Sequence, residues 1–348
     1  MKTSSFFVII CVVVGMGKVK YLTKRIFNMS FKNYFKVIND VHERTGKSRL
    51  YILLDSMVCG LKYQAGYMDY QLFEMYKMNS DERKTIVTRG KNNEIIKKYN
   101  DKNYIKYFED KTLFNDKFNK YLNRDWMMIN DKNFDKFDKF ITKNKTIVVK
   151  PIDGTCGKGV EKIITGGTNK RKLFDTLLQN GQLLIEEVAK QCKSLSALHP
   201  TSINTVRLVT LKGQVVAAFL RIGNFENVVD NLNNDGLAAP IDIKIGTIKY
   251  PAMDKEHNVY KIHPVTNEKI IGFKIPKWKE VLKLCKSACK EIPEVGYVGW
   301  DVCIGEDKPF LIEGNDFPGH DIYQLPPHRD GNIGLYPIFE KIMKGDEK

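Results

Sequence analysis

Between Tyr297 and Asn315 two apolar runs flank the turn Gly305-Glu306-Asp307-Lys308, and those runs carry three oxygen-bearing side chains, Asp301, Glu313 and Asn315. Tyr297 to Ile304 and Pro309 to Asn315 have the content of strands, so the stretch predicts an antiparallel hairpin. With the turn centred near Asp307, Asp301 faces Glu313, and strand alternation puts Asn315 on the same side as Glu313. Two carboxylates that close repel each other unless a cation lies between them, and hard oxygen donors suit magnesium or manganese. The other reading is a pair of charges on the solvated face of the hairpin.

A second stretch, Thr146 to Ile164, reads apolar run, lysine, glycine-rich turn, apolar run. Lys150 and Lys158 bracket a turn containing Gly154 and Gly157, and Gly159 follows Lys158. Backbone amides and ammonium groups in such a turn can close over phosphates. A Walker A loop is excluded. Only two residues separate Gly154 from Gly157, Gly159 stands where a Ser or Thr is required, and Gly-Val-Glu-Lys-Ile-Ile reads as a strand. The stretch therefore predicts two antiparallel strands joined by a flap, with an ordinary surface hairpin as the competing reading.

The 348 residues allow two or three domains, and a hydrophobic content of 43% is that of a globular protein. A net charge of +15, spread along the chain, favours anionic partners without marking a nucleic-acid patch. Seven cysteines include no Cys-x-x-Cys, which fits a reducing cytoplasm. Cys285 and Cys289 lie one helical turn apart with no histidine near them in the sequence, as buried helix residues do.

Phe6 to Val14 is an uninterrupted apolar run, too short to span a bilayer, and Lys18 to Arg25 is basic. It is a buried or interfacial segment, a peripheral membrane anchor, or an extension ahead of a functional start near Met16. Residues 30–142 predict several helices, with helical spacing in Tyr34-Phe35-Ile38-Val41 and Tyr70-Phe73-Tyr76-Lys77. Asn115 to Phe118 and Asn123 to Trp126 read as caps or turns.

After the flap, Arg171 to Leu178 is an amphipathic helix stopped at Asn180-Gly181. Leu183 to Ile185 is a buried strand ending in Glu186-Glu187-Val188. A purine can bond to backbone at such a strand end, beside a carboxylate that accepts from its amino group or ribose; a strand ending in surface charges is the plainer reading. Thr205 to Leu211 and Val215 to Ile222 are strands around the hairpin turn Lys212-Gly213. Arg207 and Arg221 sit within their apolar runs and need anions, either a protein carboxylate or a substrate group, with the substrate favoured at Arg207. Asn224 to Tyr250 and Ile262 to Pro276 read as irregular, with His257 and His263 near the surface. Trp278 to Glu291 is a further amphipathic helix.

This order of motifs resembles the ATP-grasp superfamily. His199-Pro200-x-Ser202-x-Asn204-Thr205-x-Arg207, Asp230-Asn231 through Ala239-Pro240-Ile241-Asp242, and Gly299-Trp300-Asp301 resemble its sugar-transfer-associated branch, related to glutamate ligases and found with cell-surface polysaccharide pathways. The resemblance covers roughly Lys143 to Ile342. It implies an α+β fold in which two subdomains clamp ATP, residues 143–198 with the flap and 199–345 with the metal site, after a segment 1–29 and a mostly helical domain 30–142. Lys150 is implied to hold the α- and β-phosphates under Gly154, Gly157 and Gly159. Glu186, Glu187, Val188 and Ala189 are implied to lie around the adenine and ribose, Arg207 against the transferred phosphoryl group, and Asp301, Glu313 and Asn315 on magnesium. One departure is Asp235-Gly236 where relatives have Gly-Gly; Asp tolerates left-handed backbone.

The implied activity is ATP-dependent carboxylate–amine ligation through an acyl phosphate, with Lys158, Arg207 and Arg221 aiding transfer, on small or glycan-linked substrates in the cytoplasm. It needs no protein nucleophile. A kinase acting on a hydroxyl, or a non-catalytic nucleotide scaffold, uses the same site. A nucleic-acid-binding module comes last, since no aromatic-basic motif supports one.

Overall fold

The structure is a computed structural model that describes residues 30–154, 157–225 and 235–345. The expectations for residues 1–29 and for Asp230-Asn231 lie outside the described residues. Packing divides the chain into two units, one holding residues up to 94 with 324–336, the other 95–323 with the remainder.

In the first unit, helix α1 (Phe31–Thr45) begins at Ser30, whose Oγ accepts from the Asn33 amide, and ends at Gly46 with φ 70°. Helix α2 (Arg49–Tyr63) is capped in the same way by Ser48. Helices α3 (Tyr67–Leu72) and α4 (Ser80–Lys84) follow, and α5 (Arg89–Tyr99) leads out of the unit. The expected helix through Tyr70 and Lys77 is two pieces. Glu74 takes φ 50°, which ends α3 and starts a 3-10 turn at Met75–Lys77, so that Tyr70, Phe73, Met75 and Tyr76 are all buried. Arg83 donates to both oxygens of Asp55 at 2.7 Å, and Tyr70 Oη donates to Asp55 at 2.8 Å. Gln324 returns to this unit by exchanging two hydrogen bonds with the Val87 backbone.

Among the described residues the second unit contains two antiparallel sheets. Its helices are α6 (Lys106–Glu109), α7 (Lys111–Lys117), α8 (Phe134–Lys143), α9 (Lys170–Gln179), α10 (Lys193–Leu198), α11 (Trp278–Ala288) and α12 (Tyr336–Lys344), whose first residue belongs to the other unit. The smaller sheet has strands β1 (Trp126–Met128), β2 (Thr146–Lys150), β3 (Glu161–Ile164) and β4 (Leu184–Glu187) in the order β1-β4-β2-β3. Helices α8 and α9 cover it with Phe137, Ile141, Phe174 and Leu177 packed on Ile147, Val149 and Ile185. The expected boundary at 142/143 thus falls inside a folded layer, because β1 pairs with β4 and α8 supplies half of that core.

The larger sheet runs β10 (Val259–Tyr260), β9 (Ala252–Met253), β7 (Leu237–Asp242), β6 (Gln214–Ile222), β5 (Thr205–Leu211), β11 (Tyr297–Ile304), β12 (Pro309–Asn315), with β8 (Thr247–Ile248) beside β7. Every residue of β5 is buried, as expected of a strand covered on both faces. Lys212 and Gly213 turn the β5–β6 hairpin with φ 52° and 71°. Phe108, Phe114 and Phe118 pack around Trp300 on one side of this sheet.

Two expectations are corrected here. Asn224 to Tyr250 is not wholly irregular, since Leu237–Asp242 is a strand paired with β6; its alanines and Pro240 masked the β pattern. His263 is buried rather than superficial. Its Nε2 bonds the Gly223 carbonyl at 2.9 Å, and its Nδ1 accepts from the Val265 and Thr266 amides. Asp235 does take the left-handed backbone, φ 59°.

Phe118 is fully buried, with its ring centroid 4.6 Å from that of Phe114 and 5.5 Å from that of Trp300. Phe118→Ala is expected to lower unfolding stability by about 3–5 kcal/mol, read from the midpoint of urea denaturation.

Candidate active site

Asp301 pairs with Glu313 and Gly299 with Asn315, as the hairpin predicts at that end. Towards the turn Val302 lies opposite Leu311, which leaves Ile312 as an extra residue on β12. This bulge brings Glu313 rather than Ile312 to face Asp301. On the other side of β11, Arg207 is the direct cross-strand partner of Asp301. Arg207 donates through Nε and Nη2 to the two oxygens of Asp301, and Arg221 Nη1 donates to Oδ2 at 2.7 Å. Each arginine therefore has a protein carboxylate, Asp301, as a partner.

These charges titrate in opposite directions. Burial alone raises the Asp301 carboxyl, but the Arg207 and Arg221 guanidiniums outweigh it and hold the group low. Glu313 is pushed up, first by burial and then by the negative charge of Asp301. Asn315 Nδ2 donates to the Gly299 carbonyl at 3.3 Å. Among the described residues no cluster of three or more His, Cys, Asp or Glu side chains could hold a metal. The set here is two carboxylates and an amide. Its oxygens suit a hard dication, which would relieve the repulsion between the cross-strand carboxylates Asp301 and Glu313.

The smaller sheet brings a second buried carboxylate to the site. Lys150 Nζ donates to Glu186 at 2.5 Å, Arg124 Nη2 at 2.9 Å and Asn115 Nδ2 at 2.8 Å. Arg124 also donates to the carbonyls of Leu311 and Ile312, tying the smaller sheet's anion to the bulge of the larger one. Asn115 and Arg124 are thus buried site residues, not the caps or turns that their type suggests. Glu186, expected beside the nucleotide, has its oxygens taken up by these three donors. Glu187 is half-buried on β4, pairing through its amide with the Asp125 carbonyl, and Val188 and Ala189 follow, also half-buried.

Lys150 adds its positive charge to the surroundings of Glu313, which links β2 and the β11–β12 hairpin. Lys111, which the sequence did not single out, lies within the influence of Glu313, Lys150, Asp153 and Glu186, and its Nζ donates to the Gly154 carbonyl at 2.9 Å. Strands β2 and β3 form the expected hairpin, with Thr146 opposite Ile164. Gly154, Gly157 and Gly159 all have positive φ, at 105°, 71° and 70°. A Cβ on Gly159 would stand 2.8 Å from Pro151 Cγ, so both backbone and space require glycine there. Lys158 is exposed at the flap tip.

A sequence model of the family described as sugar-transfer associated ATP-grasp matches residues 90–330, well over half of the chain. The chain belongs to that family. No curated protein matches it. Among solved structures, the ATP-grasp ligase PsnB complexed with a minimal precursor is 12% identical, over 71% of this chain and 63% of its own, with a TM-score of 0.44. D-cycloserine synthetase DcsG is 11% identical over 69% and 71%, TM-score 0.41. D-alanine–D-alanine ligase from Bacillus anthracis complexed with ATP is 14% identical over 77% and 70%, TM-score 0.38. The chain spans about six-tenths of the length of PsnB. The resemblance read from its motifs is thereby borne out, and its fold is the ATP-grasp fold with a helical N-terminal region.

In this ATP-grasp site Glu186 is the internal counter-ion of the smaller sheet. Burial raises its carboxyl, but Arg124 and Lys150 outweigh burial and hold it far below the ordinary glutamate value of 4.5. Stability from such a group is fully present above that value and is lost as pH falls through it towards the folded-state pKa. Glu186→Gln leaves Arg124 and Lys150 facing a neutral amide, at an expected cost of about 3–5 kcal/mol. Urea midpoints between about pH 6 and 3 check this: the wild-type midpoint falls more steeply below pH 4.5 than that of the variant.

Proposed function

We propose that the chain is an ATP-dependent carboxylate–amine ligase that works through an acyl phosphate on a cell-surface glycan precursor. The observation that carries this reading is the cluster of Lys150, Lys111, Arg207 and Arg221 around the buried Asp301 and the half-buried Glu313, with Lys111 bonded to the glycine turn at Gly154. In this reading Lys150 and the flap glycines hold the triphosphate, and Glu187, Val188 and Ala189 border the base. Asp301, Glu313 and Asn315 hold magnesium or manganese, which supplies charge neutralisation to the phosphates when bound.

The substrate carboxylate attacks the γ-phosphorus, the bond to the bridging oxygen breaks, and ADP leaves. Arg207 and Arg221 stand where negative charge on the transferring group is greatest, and Lys158 closes with the flap. The amine then attacks the acyl carbon, phosphate leaves, and the amine proton passes to solvent or phosphate. Positioning and fixed charge supply the catalysis, which is consistent with a site built of cations and carboxylates. A cytoplasmic setting belongs to the same reading, supported by free thiols at Cys59, Cys192, Cys285 and Cys289.

Two variants and one trap test it. Lys150→Ala is expected to weaken ATP binding about 10- to 100-fold by calorimetry, the size of one lost charge-assisted contact. Glu313→Gln is expected to keep binding but lose about 100-fold or more in turnover. With hydroxylamine and candidate carboxylates, the wild type should release ADP and phosphate and accumulate a hydroxamate. A phosphorylated hydroxyl product without hydroxamate would replace the ligase by a kinase, and turnover unaffected by Glu313→Gln would point to a scaffold.

A further inference from the structure

Helix α2 has two apolar faces. Ile52, Cys59 and Tyr63 lie on the buried one. The other carries Leu50, Leu54 and Val58 at four-residue intervals with Tyr51 beside Leu50, and these are 65%, 48%, 48% and 48% exposed. A surface helix ordinarily turns polar residues outward, and a helix apolar all round is one that meets core or lipid on each side.

Cations outnumber carboxylates around this stripe, with Asp40 and the exposed Glu43 on α1 as the neighbouring anions. Asp55 is the single carboxylate of α2, and Arg83 and Tyr70 occupy it from the buried side. Lys47 and Arg49 stand at the N-terminal end of the helix and Lys62 in its last turn. Helix α1 is locked beside α2 by Tyr34 Oη with Ser56 Oγ and by Arg49 Nε donating to Asn39 Oδ1, each at 2.7 Å. It adds Phe31 and Phe35, 55% and 58% exposed, together with the exposed Lys32 and Lys36.

We propose that the outer face of α2, with its flanking cations, is a docking surface for an anionic lipid bilayer. Apolar side chains entering the acyl boundary and lysines or arginines meeting anionic headgroups are the two terms that hold a helix in the interfacial plane. A second copy of the chain fits less well, because a face paired with itself brings like charges together at both ends of the helix. The sequence ahead of α1 has the same chemistry. Phe6 to Val14 is apolar, and Lys18, Lys20, Lys24 and Arg25 follow before Ser30. One weak membrane signal gives marginal attachment, whereas two together give stable attachment. This inference is independent of the ligase reading, since α2 contains none of the residues assigned to the nucleotide site.

The test is co-sedimentation of the full chain with vesicles of phosphatidylcholine alone and of phosphatidylcholine with about 30% phosphatidylglycerol. The wild type is expected to bind the anionic vesicles, to bind neutral ones far less, and to be released as salt rises. Substituting Leu50→Ser, Leu54→Ser and Val58→Ser together should lower partition into anionic vesicles about tenfold or more, with thermal melting and ATP binding unchanged. Arg49→Glu with Lys62→Glu should lower it without altering the apolar stripe. Wild-type chain that ignores anionic vesicles, or a triple variant that binds as the wild type does, overturns the proposal. So does a serine variant whose only change is from dimer to monomer in solution, which would assign the stripe to a second copy.

Discussion

Buried negative charge is the constraint on which the larger sheet depends. Asp301 lies in the middle of a sheet whose β5 and β11 strands are buried along their length, where an unpaired carboxylate costs several kcal/mol. Arg207 and Arg221 offset that cost only because β6, β5 and β11 are adjacent and in register. Since side chains alternate, a slip of one residue would send Arg207 to the opposite face of β5 and strand Asp301 without its main partner. The ion pair and the strand register therefore specify each other. The bulge at Ile312 belongs to the same arrangement, because it aims Glu313 at Asp301 and presents two carbonyls to Arg124.

The smaller sheet repeats this logic with greater freedom at its edge. Glu186 is fixed from three sides, by Lys150 on the neighbouring strand and by Arg124 and Asn115 from the segment that precedes the sheet. Strand β3, in contrast, is the outer strand, and three of its four residues are exposed. Little apolar surface holds β3 in place, so that strand can open locally at low cost while β2 and β4 remain ordered. A rigid base that carries Lys150 and a weakly held edge that carries the glycines is an arrangement suited to admitting and then covering a ligand.

Legibility followed sequence separation. Strands with clear alternation and tight turns were readable residue by residue: Thr205–Leu211, Tyr297–Ile304 and Pro309–Asn315 stand where the pattern set them. So was the facing of Asp301 and Glu313, since a hairpin is a local object; its bulge was not, because an extra residue leaves no mark on composition. Asn115 and Arg124 were misread because their partner Glu186 lies 71 and 62 residues away, and an Asn or Arg near a turn looks the same whether it meets water or a buried carboxylate. His263 was misread for a similar reason, as its Nε2 bonds a carbonyl 40 residues distant. The sequence pattern showed that arginines on β5 and β6 needed anions. Only the fold could supply the identity of that anion.

The balance of charge at the site bears on its ligand. Lys111, Lys150, Arg124, Arg207 and Arg221 surround Glu186, Asp301 and Glu313, and Glu313 is the carboxyl whose pKa is raised, so the cluster has a surplus of cations. Arg124 and Lys150 are matched by Glu186, and the two strand arginines by Asp301. Lys111 is matched least well. Burial lowers its pKa, and its hydrogen bond goes to a flap carbonyl, which is a dipole and not a counter-charge. A cation in that position is stabilised most by a multiply charged anion arriving under the flap.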